Sequence, residues 1–357
     1  MKRQCGFSMV ELMVAITLAL VLTGAVISVF IGSRTAYQAT AGVGDMADSG
    51  RFALNIIGDS VRSAGNIACN SANSGTNVQL PAANNGFTTN FPVGISGFEA
   101  NGSAPGATVA LPQAVGAAGN WTAALDGSIT AATAGAFGVP VQGSDVLVVY
   151  SSKRSVPPVY TTADVLGGVT VVPVSAPVPP AGSIAANDYA AISDCTKSMI
   201  SRATAVAANS VTLADALTLG FAAGAFVTPL TTTVYYIGTG SDGDSSLWRL
   251  EQINGAFPAP GPQSPEELVP DVENMQVLYG IDPAGTGTAS AYVTANNIGG
   301  FNVVSIQIAL LVASPPQNKP VAAPPAFNLV GTLLTVPGDN RARQVFYATI
   351  NLRNASS

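Results

Sequence analysis

Apolar residues fill the chain from Phe7 to Gly32, and Glu11 is the only charge among them. From Leu12 to Gly32 there is no charge at all. At about 1.5 Å per residue that stretch is roughly 30 Å long as a helix, enough to cross a hydrocarbon core. The pattern then changes but keeps a helical period. Met46, Ala53, Leu54, Ile57, Val61 and Ala64 fall on one face, while Asp45, Asp48, Arg51, Asp59 and Arg62 supply the polar complement. No proline occurs before Pro81. The spacing predicts one helix from Phe7 to about Ala64, roughly 85 Å long if continuous. Gly42 and Gly44 weaken it by about 1 kcal/mol each, so a local break is expected there. Gly65-Asn66 is the stop.

Beyond the helix the period shortens to two. Strands are predicted at 145–150, 169–174, 188–192, 231–237, 246–253, 275–281, 303–312 and 344–352. The alternation Val304-Ile306-Ile308-Leu310 predicts a half-buried antiparallel strand. Residues 66–138 read as long loops with short elements, and the proline-rich pieces at 173–182 and 314–325 as loops or edge segments. The expected fold class is α+β: a long N-terminal helix whose second half packs on an antiparallel sheet, with no second domain boundary.

Composition narrows the chemistry. The 357 residues contain no histidine, which removes imidazole-dependent triads and zinc sites. Only 10% of residues are charged, and the net charge of −6 disfavours nucleic acid as a principal partner. Mean hydropathy is +0.38, so the part outside the apolar helix is itself sparse in charge. No cofactor pattern and no enzyme constellation emerges.

The N-terminal run has a more specific reading. The segment Cys5–Val14, CGFSMVELMV, resembles the class III signal of type IV pilins, in which a short basic leader (here with Lys2 and Arg3) ends in glycine. The resemblance implies cleavage between Gly6 and Phe7 by a prepilin peptidase and N-methylation of Phe7. The acidic residue of the motif falls on Glu11. An isolated carboxylate in lipid is costly, and pairing with the N-terminal amine of a neighbouring subunit would offset that cost. Residues 45–69 and the runs GSDVLVVYSS, ISDCTKS, PDVENMQVLYGID, VVSIQIALLVAS and RQVFYATINLRN further resemble PilW-type minor pilins. That likeness implies a leader at 1–6, a transmembrane and filament-core helix at 7–32, an amphipathic continuation at 33–65 and an exported body at 66–357. Residues 71–141 would be its variable part.

The implied function is a minor pilin that primes and assembles type IV pili for twitching and adhesion. The implied location is the bacterial inner membrane, spanned by residues 12–32 with a cytoplasmic N-terminus and a periplasmic body, and then the pilus. Its partners would be prepilin peptidase, the major and other minor pilins, the inner-membrane assembly machinery and a tip adhesin. A minor pseudopilin of type II secretion, or an adhesin or DNA-uptake subunit, would share the same N-terminus.

Other candidates follow from this setting. Cys5 leaves with the leader, so an exported chain keeps the even pair Cys69 and Cys195, for which a disulfide is expected. Gly238 to Gly243 matches G-x-G-x-x-G formally, but a strand pattern follows and a hairpin turn is predicted. Asp242 and Asp244 offer two hard ligands for calcium, without an acidic partner downstream. Glu266, Glu267, Asp271 and Glu273 form either a solvated acidic face or a contact for a basic neighbour in a filament. Trp121, Trp248, Tyr235 and Tyr236 fit a core better than an adhesive patch.

Overall fold

The computed structural model describes residues 8–71, 78–79, 86–116, 119–153, 156–175, 184–261, 264–316 and 326–354. The leader and both residues of the expected cleavage site, Gly6 and Phe7, lie outside the described residues, as does most of each proline-rich piece.

The first element, α1, runs Met9–Arg62 without interruption. The expected break at Gly42 and Gly44 is absent, since about 1 kcal/mol per glycine is too small a cost to open a helix continued on both sides. The stop holds in its expected place. Gly65 takes φ +71°, and its N–H bonds the Tyr150 carbonyl at 2.9 Å, turning the chain onto the body.

The body is built from fifteen principal strands and a short helix. In chain order these are β1 (Ile95–Ala100), β2 (Thr108–Ala110), α2 (Gly127–Ala132) and β3 (Val146–Ser152). Next come β4 (Tyr189–Ser193), β5 (Ser198–Ala207), β6 (Ser210–Leu213), β7 (Phe226–Thr239) and β8 (Ser245–Glu251). The last set is β9 (Glu266–Pro270), β10 (Val272–Asp282), β11 (Ala291–Val293), β12 (Asn302–Ala313), β13 (Phe327–Leu329), β14 (Thr332–Thr335) and β15 (Arg343–Asn351).

One large sheet follows the order β1-β3-β7-β4-β5-β6, and β8 and then β9 extend it from the far half of β7. Strand β7 is long enough to serve two neighbourhoods. Its first half pairs with β4, through Val227 opposite Ile192; its second pairs with β3 and β8, through Val234 opposite Val148 and Tyr236 opposite Trp248. A second, four-stranded antiparallel sheet runs β11-β10-β12-β15. The three-stranded sheet β13-β14-β2 lies behind it.

Burial explains the continuous apolar runs. Along β3, Leu147 and Val149 join Tyr235, Ile237 and Leu247 in the core under α1. The alternate residues Val146, Val148 and Tyr150 join Tyr236, Trp248 and Leu250 on the opposite face. A strand buried on both faces loses its alternation. The same cause corrects the half-buried reading of β12. Ile306, Ile308 and Leu310 face the core shared with α1, while Ala309 and Leu311 are covered by Val109, Leu329 and Leu334 of the small sheet.

The described residues of 71–141 pack into the body. Strand β1 pairs with β3 in the large sheet, and Phe91, Phe98, Trp121 and Ile129 fill the core on the face away from α1.

Candidate filament interface

The second half of α1 is the part that touches the body. Its buried positions, Gly42, Met46, Gly50, Ala53, Ile57, Gly58 and Val61, recur every three or four residues. They form the predicted face, with Leu54 only half-buried. Two glycines let β15 come close. A Cβ on Gly50 would lie 2.4 Å from Cδ2 of Phe346, and one on Gly58 would lie 3.6 Å from Cδ1 of Ile350.

The first half of α1 stands clear of the core. No described residue before Gly42 is buried, and Met9, Val10, Leu12, Met13, Leu18, Leu20, Val21, Leu22, Val29 and Phe30 are all exposed. At about 1.5 Å per residue this free segment projects roughly 50 Å. It is long and apolar enough to cross a membrane.

Its polar groups are prepared for an apolar medium. The hydroxyl of Thr17 donates to the Val14 carbonyl at 2.9 Å, Thr23 to Ala19 at 2.7 Å and Ser28 to Ala25 at 2.8 Å. Thr35 and Thr40 bond back to Ile31 and Ala36 in the same way. Each side-chain donor between Leu12 and Gly32 is thus satisfied within the helix, as lipid requires. Glu11, in the first turn, is exposed and makes no ion pair among the described residues. Between Met9 and Gly32, Glu11 is therefore the one polar side chain whose partner does not come from the helix itself.

At the other end of α1 a covalent tie follows. Cys69 and Cys195 are joined, with Cα atoms 5.0 Å apart and a sequence separation of 126. The bond links the segment after the helix to the β4–β5 turn. In that turn Asp194 accepts bonds from Thr196 and pairs with Lys197 at 2.8 Å. Burial alone would raise the Asp194 carboxyl, but Lys197 and Thr196 outweigh it and hold the group well below the usual carboxylate range.

The acidic cluster is engaged inside the chain, by three arginines and a serine. Glu266 pairs with Arg249 at 2.5 Å, and Asp271 pairs with Arg341. Glu273 takes Nε and Nη2 of Arg343 at 2.6 and 2.8 Å. Glu267 accepts from the Ser246 hydroxyl at 2.6 Å. Arg341 also reaches Asp244 at 2.9 Å, so that carboxylate is held by a guanidinium in the turn between β7 and β8. Among the described residues no group of three His, Cys, Asp or Glu side chains could hold a metal ion. The turn itself is the predicted hairpin, with Thr239 opposite Ser245. Trp121, Trp248, Tyr235 and Tyr236 are all core residues.

Sequence reading overlooked Arg341 and Arg343, whose partners stand 70 residues away, and a buried carboxyl pair, Glu99 and Asp145. The available signal was a charge set directly against an apolar strand: Glu99 within ISGFEA and Asp145 before VLVVY.

Comparison with known proteins agrees at both ends. Residues 234–354 match the PilW family, described as Type IV Pilus-assembly protein W. Residues 1–27 match the prokaryotic N-terminal methylation motif. No curated protein matches the chain. Among solved structures, a type IV-like pilin from Thermus thermophilus is 20% identical, with a TM-score of 0.22. That match covers 36% of this chain and 67% of the pilin. The PilW match spans the second half of β7 and everything after it, including the whole sheet on which α1 packs. The methylation motif thus falls on the exposed apolar helix and the PilW match on the sheet where that helix docks, so the chain is similar to PilW-type pilins at both ends.

Proposed function

We propose that the chain is inserted in the bacterial inner membrane with its N-terminus cytoplasmic, cut between Gly6 and Phe7, methylated on Phe7, and then built into a type IV pilus whose assembly it helps to prime. One observation supports this reading: the exposed apolar stretch Met9–Gly32 of α1 satisfies its own hydroxyls and leaves only Glu11 in need of a partner. When such helices leave lipid for a helical bundle, the Phe7 amine of one subunit and Glu11 of its neighbour compensate each other. That pairing fixes the stagger between subunits. The body, tied to the helix end through Cys69 and Cys195, stays outside the membrane as the presented surface.

The test is Glu11→Ala in the full-length chain. Processing at Gly6 should continue, read by mass spectrometry of the new N-terminus, while surface pili fall. Piliation at the parent level would overturn the pairing role. Deletion of the whole chain addresses the machine: loss of pili and twitching with intact exoprotein secretion supports the pilus, and the reverse pattern supports a secretion pseudopilus.

A further inference from the structure

Asp145 and Glu99 meet where the large sheet joins the PilW sheet. Asp145 donates its backbone N–H to the Met275 carbonyl at 2.9 Å. Its side chain bridges the seam: Oδ1 accepts from the Ala100 N–H at 2.9 Å and Oδ2 from the Val277 N–H at 2.9 Å. Glu99 lies beside it on β1. The Ser103 hydroxyl stands 3.5 Å from Oε1 of Glu99 and 3.4 Å from Oδ1 of Asp145. Both side chains are buried, at 4% and 3% exposure. Neither makes an ion pair with any described residue, and Oε2 of Glu99 has no hydrogen-bond partner. The other titratable groups facing them are the phenols of Tyr279 on β10 and, one ring further, Tyr150 on β3.

Two carboxylates buried together, with no cation beside them among the described residues, cannot both ionise at small cost. An ionised Glu99 would also leave a charged oxygen with nothing to bond. We propose that Glu99 and Asp145 hold one proton between them in the folded body, and that this proton locks the seam between the PilW sheet and the rest of the protein. Electrostatics agrees. Burial lifts Glu99 to about 7 against the hydrogen bonds from Ala295 and Ser103. Burial, then the charge of Glu99, lifts Asp145 well above its ordinary value.

The sign follows from proton linkage. Above about pH 5 an unfolded chain has released these protons, whereas the folded body keeps one. The unfolding constant should therefore rise by up to tenfold per pH unit from about pH 5 to about pH 7. The seam is tight in acid and loosened by base.

The experiment is urea unfolding of the full chain in detergent micelles across that range, for the parent and for the double variant Glu99→Gln, Asp145→Asn. The parent is expected to lose stability as pH rises, and the variant to lose this slope. An equal slope in both would overturn the proposal. Infrared spectra of the parent at pH 6.5 keep the test decisive if the variant fails to fold. A protonated-carboxyl C=O band that disappears on unfolding supports the shared proton, and its absence from the folded chain overturns it.

Discussion

Gly50 of α1 faces the ring of Phe346 on β15 so closely that a methyl group has no room, with the nearest ring atom 2.4 Å from where a Cβ would stand. The helix is thereby pressed onto β15, within the part of the chain that matches the PilW family.

This contact yields a stability prediction. Gly50→Ala should destabilise the body by about 1–3 kcal/mol, because overpacking outweighs the gain in helix propensity. Urea unfolding measures the loss. Adding Phe346→Ala should recover part of it. A double variant no better than Gly50→Ala would place the cause elsewhere.

Arg343 is the second point of weakness. Its side chain is almost fully enclosed between Glu273 and Asp339. Removing the arginine takes away charge-assisted hydrogen bonds to two partly exposed carboxylates, so Arg343→Ala should cost about 1.5–3 kcal/mol. Chemical denaturation of the purified chain checks it.

The same arginine sets an acid limb. Hydrogen bonds from Arg343, against a smaller opposing effect of burial, hold Asp339 below the usual carboxylate range. A lowered folded pKa contributes stability above the unfolded value of about 4 and loses it as pH falls below that. Melting curves from pH 5 to pH 2 should show this decline, and Asp339→Asn should show less of it. Acid destabilisation here and base destabilisation at the Glu99–Asp145 seam leave the body most stable between the two.

Reduction of Cys69–Cys195 should lower stability by up to about 4–5 kcal/mol on the loop-entropy model, given 126 residues of separation. Cys69→Ser with Cys195→Ser, compared with the parent in thermal melts, measures it. Non-reducing peptide mapping that recovers both thiols free would remove the premise.

A smaller effect is expected at α2, where Asp126 accepts the Ser128 N–H at 2.8 Å as the helix cap. Asp126→Ala should cost about 1 kcal/mol and loosen Ile129 and Ala132, which the helix places in the core beside Trp121. Differential scanning calorimetry is sensitive enough to detect it.

Much of this protein was legible along the chain because it depends on neighbours close in sequence. The apolar run with Glu11 at its head, the helical period through Val61, the stop at Gly65 and the strand runs such as 145–150 and 303–312 are all local patterns. Contacts between distant residues were not legible. Nothing near Glu273 or Asp271 announces Arg343 or Arg341, so the acidic cluster read as a free surface. Nothing near Leu311 announces that Val109 and Leu334 cover it, so β12 read as half-buried. A periodic pattern reports that a face is buried, and only the tertiary fold says against what. The sequence therefore determined the long helix, its apolar half and the strand-rich body by itself. Packing decided that glycines seat the helix on β15, that three arginines reach into the acidic cluster, and that Glu99 and Asp145 share one enclosed place.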